Sequence, residues 1–175
     1  MIEIELEKTY LAKALPQGLE ACPHKEVYDI YVPAAAAHPT LRLRKKGDKY
    51  EMTKKYPVMG ADASEHEEHT IRLSKEEFED LACAPGKRVR KIRYEYMHED
   101  MKAEVDVFLD DLEGLVLVDF EFASSKEKAG FEMPDFCLVE VTLDEKLAGG
   151  MLCGKKYADI EGHLEELGYE PIRQA

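Results

Sequence analysis

The feature that most constrains this chain is a period-two alternation that returns in segment after segment and keeps charge on one face of each. Glu3, Glu5, Glu7 and Thr9 alternate with Ile2, Ile4, Leu6, Lys8 and Tyr10. Glu104 and Asp106 alternate with Val105 and Val107, and Asp119 and Glu121 with Val118, Phe120 and Phe122. Arg42 and Arg44 alternate with Leu41 and Leu43, and Lys91 and Arg93 with Ile92 and Tyr94. Successive side chains of a strand point to opposite faces, so this pattern specifies strands with one apolar and one charged face.

The same reading places strands at 2–10, 26–32, 40–46, 49–56, 66–73, 88–98, 101–109, 114–122 and 137–143. Gly47-Asp48, Glu99-Asp100 and the run from Asp110 to Gly114 are short turn signals that favour antiparallel hairpins. Helices are few. Ser74 and Glu77 form a capping-box pattern opening a short helix to about residue 82, and Ser124 or Ser125 caps another near 125–130. A third spans about 155–167, where Tyr157, Ile160, Leu164 and Leu167 recur at helical spacing. The expected fold is mainly β (α+β): an antiparallel barrel carrying a few helices outside.

An ordinary half-exposed sheet also alternates apolar and polar residues. Solvent faces, however, usually mix signs to favour cross-strand pairs. Here three strands are acidic and two basic. Like charge repeated along one face costs stability unless a ligand or an opposing wall compensates it. Acidic strands facing basic ones across a lumen, with metal and phosphate between, would supply that compensation. Alternation alone leaves both arrangements open.

Composition bounds the partners. The 175 residues form one expected domain, 1–175, with 45% hydrophobic and 35% charged residues. A net charge of -13 argues against a broad nucleic-acid surface, which relies on Lys and Arg to neutralise phosphates. It leaves room for a polyanion held in a local basic pocket, with carboxylates offset by a cation. The longest apolar runs fall short of the ~20 residues of a membrane span, and the N-terminus lacks a signal pattern, so a cytoplasmic protein without a membrane partner is expected. The four scattered cysteines include no CxxC pair and read as reduced, mostly buried thiols.

Other signals are weak. His66-Glu67-Glu68-His69 lacks the spacing of a zinc helix and reads as two exposed histidines on a strand. Gly154-Lys155-Lys156 lacks the glycine and hydroxyl residues of a P-loop and reads as a helix-opening charge pair. The Glu-rich stretch 161–170 reads as a solvated helix face.

In their order, these motifs resemble the CYTH family, the triphosphate tunnel metalloenzymes. Glu5-Leu6-Glu7-Lys8-Thr9-Tyr10 stands where the family has its ExExK strand, and Asp29 and Tyr31 look like its next strand. Arg42 and Arg44 match RxR, Lys55 the lysine strand, and Lys91 and Arg93 KxR. Glu104 and Asp106 match ExD, Asp119 and Glu121 match ExE, and Glu140 fits the last acidic strand. The resemblance covers almost the whole chain. It departs at position 9, where Thr9 occupies the signature lysine's place on the Glu5/Glu7 face. Lys8 alternates outward unless a bulge turns it in. Near residue 68, Glu68 faces inward with Thr70 and Arg72, and His66 stands in for the second acid of a pair.

The resemblance implies a closed eight-stranded antiparallel tunnel that uses Mg2+ or Mn2+ on a small-molecule triphosphate. It implies phosphate contacts from Arg42, Arg44, Lys55, Lys91 and Arg93, with Arg forks suited to oxyanions. Metal ligands would come from Glu5, Glu7, Glu104, Asp106, Asp119, Glu121 and Glu140, with Glu5, Glu7 and Glu121 the first choices, since hard divalent cations take oxygen ligands. Glu5, Glu7 and Lys55 are the expected catalytic residues, and a homodimer is compatible. Three activities share such a tunnel. Inorganic triphosphate hydrolysis asks only for a triphosphate site. Cyclisation of ATP to cyclic AMP, and thiamine triphosphate hydrolysis, also need a pocket for an organic group. The first is therefore favoured; a module that binds a triphosphate without turnover is the alternative that Thr9 motivates.

Overall fold

A computed structural model describes residues 2–57, 59 and 65–173, and the side chains of 6–57, 59 and 66–173. The strands are β1 (Ile2–Ala12), β2 (His24–Val32), β3 (Leu41–Lys46), β4 (Lys49–Pro57) and β5 (Glu65–Leu73), then β6 (Lys87–His98), β7 (Met101–Phe108), β8 (Val116–Glu121) and β9 (Cys137–Glu140). Helices α1 (Lys75–Leu81), α2 (Ser125–Gly130), α3 (Gly149–Leu152) and α4 (Tyr157–Glu166) lie between or after them. Every strand expected from alternation is present.

The strands form one antiparallel sheet of nine, in the order β5-β4-β3-β2-β6-β7-β8-β1-β9. The ninth, expected at 137–143 and additional to an eight-stranded tunnel, is a short strand against the C-terminal end of β1. That long strand has several neighbours. Residues 2–6 pair with β5, 7–11 with β8, and 10–12 with β9. The tight hairpins fall where turn residues stand: Gly47, with φ 58°, between β3 and β4, and Glu99, with φ 52°, between β6 and β7.

Apolar residues alternate to the outer faces of the strands and are covered there. Ile30 and Leu43, with Tyr50 and Met52, pack on Phe78 of α1, a helix held by reciprocal Ser74 and Glu77 capping bonds. Tyr10, Val105, Val118 and Phe120 form a second cluster under Phe131, just past α2. A third lies on the inner side instead, where Leu117 and Phe108 share the face of Asp106 and Lys91, and joins them and Val141 to Leu147, Leu152, Ile160 and Leu164 from the C-terminal helical segments. Burial of this apolar area is worth about 25 cal/mol per Å2. The first two clusters stabilise the sheet from outside and leave most of the opposite strand faces to charged side chains, while the third closes one end of that inner side.

Of the four cysteines, all free, Cys137 and Cys153 are buried, whereas Cys83 is exposed and Cys22 intermediate, so the thiols are less uniformly buried than expected. Lys156 is the N-cap of α4, its N–H donating to Asp159, as a helix-opening role requires. Glu161, Glu165 and Glu166 are exposed on that helix. No described helix is long and apolar enough to cross a membrane.

Candidate phosphate and metal site

The charged strand faces line a cavity of about 790 Å3. Residues directly opposite on antiparallel strands share a face. The register therefore places Arg44 beside Asp29, Arg93 beside Asp106, Thr9 beside Asp119, Glu7 beside Glu121 and Lys55 beside Glu68, with all of these but Asp29 in the wall. One end of the cavity is apolar, closed by Phe108, Leu117, Val141, Leu147 and Leu152. There α3 seats flush because it starts with two glycines. A Cβ on Gly149 would lie 2.4 Å from the Tyr31 hydroxyl, and one on Gly150 2.4 Å from the Pro39 carbonyl oxygen.

Much of the wall neutralises itself. Arg44 donates from Nε and Nη2 to the two oxygens of Asp29, both at 2.7 Å, with both residues buried. Burial alone would raise the Asp29 pKa, but the charge and hydrogen bonds of Arg44, with Arg42 and Lys91 nearby, outweigh it and lower it to about 2. Arg93 binds both oxygens of Asp106, at 2.7 and 2.6 Å, and donates to Glu104; Lys91 donates to Asp106 as well. Burial opposes ionisation of Asp106, yet Arg93 and Lys91 hold its carboxyl well below the ordinary carboxylate range. Glu104 is lowered despite burial by Arg93 and Lys46, the latter 3.5 Å away. Burial pushes the Lys91 ammonium down, against the pull of Asp106.

Two parts of the wall differ from these basic–acidic clusters. Arg42 lies between Tyr31 on β2 and Thr53 on β4 in register. Its buried Nε has no hydrogen-bond partner among the described residues, while its charge acts on Glu68 and Tyr31. The other is the seam between β1 and β8, where Glu7, Asp119 and Glu121 share the cavity face. Burial, and then the neighbouring Asp106 charge, push the Asp119 carboxyl up. Its Oδ1 accepts a 2.7 Å hydrogen bond from the Thr9 hydroxyl, and its Oδ2 is 3.5 Å from Arg93 Nη2. These three carboxylates are the oxygen donors a hard divalent cation takes. Among the described residues, no three such groups are drawn together at ligand distance.

Most expected site residues meet in this cavity: Arg42, Arg44, Lys55, Lys91, Arg93, Glu7, Glu104, Asp106, Asp119 and Glu121 all line it. The Glu5 side chain lies outside the described residues. Glu140 does not face the cavity. It pairs in register with Tyr10, on the outer face of β1, where its carboxylate is 3.6 Å from the Lys8 ammonium. Lys8 is thus not turned inward; the register shift in this part of β1 falls at Leu11/Ala12. His66 lines the cavity, 3.8 Å from Glu7, whereas His69 is on the outer face with Glu67 at 2.6 Å, so the two are not an exposed pair. Glu68 faces inward, bonded to Thr70 at 3.0 Å and 3.4 Å from Lys55, but Arg72 is exposed.

Sequence reasoning passed over Lys46 and Glu51, which alternation with Arg44 and Thr53 would have found, and it named Asp29 as a strand residue without its pairing to Arg44. It also missed the end wall from Val141 to Leu152, for which strand periodicity carries no signal.

Known proteins are similar to this chain in sequence and fold. Residues 1–141 match the CYTH domain family. An inorganic triphosphatase of Nitrosomonas europaea is 33% identical over 145 residues, covering 81% of this chain and 91% of the relative. An inorganic triphosphatase of Acetivibrio thermocellus is 32% identical over 123 residues, covering 70% of this chain and 76% of the relative. The crystal structure of an inorganic triphosphatase superposes with a TM-score of 0.64 at 29% identity, covering 86% of this chain and 95% of the other. With a match over most of its length and the motif strands facing one cavity, the chain belongs to the CYTH domain family.

Proposed function

We propose that this protein hydrolyses a linear triphosphate, inorganic tripolyphosphate first among them, inside a closed eight-stranded tunnel and with Mg2+ or Mn2+. The observation that carries the reading is Arg42: a cavity-lining guanidinium whose buried Nε has no hydrogen-bond partner among the described residues. A buried donor left unmade is costly, and a phosphate oxygen is the acceptor its fork fits best. The relatives named inorganic triphosphatase support the substrate. The pairing of residues 2–6 of β1 with β5 supports the ring, since it joins the two ends of an eight-strand path from β5 to β1 and leaves β9 outside.

In this reading Arg42 and Lys55 bind phosphate oxygens and hold the chain of phosphates along the wall. Arg44, Lys91 and Arg93 set the positive potential around it. Hydrolysis needs a water in line with the terminal phosphorus and stabilisation of charge on its oxygens, which is mostly a matter of positioning. Glu7, Asp119 and Glu121 are the residues that would hold the divalent cation. When bound, that ion would supply Lewis-acid polarisation of phosphoryl oxygens and a more acidic water. Water adds to the terminal phosphorus, the bridging P–O bond breaks, and orthophosphate and pyrophosphate leave.

The test is phosphate release from tripolyphosphate, thiamine triphosphate and ATP with Mg2+ and with Mn2+, with cyclic AMP measured in parallel. Tripolyphosphate is expected to turn over fastest. Arg42→Ala should raise its KM about 10- to 100-fold, as loss of a charged hydrogen-bond donor does. An unchanged KM, or faster turnover of another substrate, overturns the reading. One observation favours a second reading, a module that holds a triphosphate without cleaving it: Lys8 of β1 faces outward, and Thr9 is in the cavity in place of a cation. Tight tripolyphosphate binding with no phosphate release would select it.

A further inference from the structure

The Thr9–Asp119 contact joins the departure at position 9 to the acidic strand β8 as one unit. β1 carries a threonine where a lysine is expected, and β8 carries an aspartate in the first position of ExE. The two are directly opposite in the register, with the Thr9 hydroxyl 2.7 Å from Asp119 Oδ1. A short hydroxyl reaches a short carboxylate across one rung of an antiparallel ladder, where facing Cβ atoms are about 5 Å apart. Thr9 is itself fixed from its other side: its N–H donates to the Thr142 hydroxyl at 3.1 Å, and its carbonyl accepts from Val141 N–H at 2.7 Å.

The rival partner for Asp119 is Arg93. Its contact with Asp119 Oδ2 is 3.5 Å, longer than a charge-assisted hydrogen bond of about 2.8 Å. Arg93 already donates to Asp106 and Glu104. A lysine at position 9 would neutralise the carboxylate, whereas a hydroxyl holds it and leaves its charge in place.

We propose that Thr9 is a positioning residue: its hydroxyl fixes Asp119 Oδ1 on the β1–β8 seam, so that the carboxylate remains an acidic ligand beside Glu7 and Glu121. Its effect on turnover rests on the triphosphatase reading; its effect on cation binding does not. The experiment therefore has two readouts on the full-length protein and its Thr9→Val, Thr9→Ser and Thr9→Lys variants. Mn2+ affinity is measured by electron paramagnetic resonance without tripolyphosphate, and kcat and KM are measured with it.

Thr9→Val keeps the shape and removes the donor. It should weaken Mn2+ binding about tenfold and lower kcat by a similar factor, with KM for tripolyphosphate changed less than about twofold. Thr9→Ser should restore both, and Thr9→Lys should bind Mn2+ more weakly than Thr9→Val. Should Thr9→Val fail to fold, the serine and lysine variants still order the outcome. Unchanged Mn2+ affinity in Thr9→Val, an equal defect in Thr9→Ser, or no Mn2+ binding by the parent protein overturns the proposal. A parent that releases no phosphate while the Mn2+ series holds overturns the triphosphatase reading and leaves the role of Thr9 standing.

Discussion

Arg42 and Arg44 stand two residues apart on the same face of β3, yet the structure uses them differently. Arg44 is locked by two hydrogen bonds to a buried aspartate, while Arg42 keeps a buried Nε donor with no hydrogen-bond partner among the described residues. The basic motif of β6 repeats the locked state twice, with Lys91 and Arg93 both bound to Asp106. A motif of repeated cations is therefore not a list of equivalent ligand contacts. Some of these charges make the wall possible, and they set the field in which the open ones act.

The largest test of that distinction is on the locked side. Asp106→Ala leaves Arg93 and Lys91 buried beside a missing anion, and should cost about 3–5 kcal/mol of unfolding free energy in urea titrations. Arg42→Ala, by contrast, should shift the urea midpoint little while raising KM as given above. Comparable destabilisation by both would erase the contrast. Acid sharpens it next. Asp29 has a folded-state pKa of about 2 against an ordinary 3.8, so its stabilisation is fully present above about pH 4 and is lost as the pH falls toward 2. The loss is roughly 2 kcal/mol from this group. Urea midpoints across that window should fall, and Asp29→Asn should flatten the fall. The smallest effect is outside the cavity. Glu140→Gln removes a surface pair at 3.6 Å, with the Glu140 side chain 44% exposed, and should alter stability by less than about 0.5 kcal/mol and leave phosphate release unchanged.

The sheet was legible because strand alternation is a local signal: each of Ile2–Ala12, Leu41–Lys46 and Met101–Phe108 shows two faces on its own. Reading the charged face as the inner one needed more, since alternation is the same for a wall and for a solvent face. Glu140 shows where this stops. Its strand has four residues, and its facing is decided by its rung opposite Tyr10. That is a non-local fact of register. The split between Arg42 and Arg44 was illegible for the same reason, since it depends on which side chain meets Asp29 across the β2–β3 ladder.

The inward turning of the cations has a kinetic consequence. With a net charge of -13 overall and Arg42, Arg44, Lys91 and Arg93 in the cavity wall, a distant polyanion meets a repulsive field before it meets an attractive one. Added salt, with a Debye length of about 8 Å at 0.15 M, screens the long-range part first and the cavity contacts least. Capture of a triphosphate by this protein should therefore quicken as ionic strength rises from very low values, the reverse of the usual behaviour for a basic pocket and an anionic ligand.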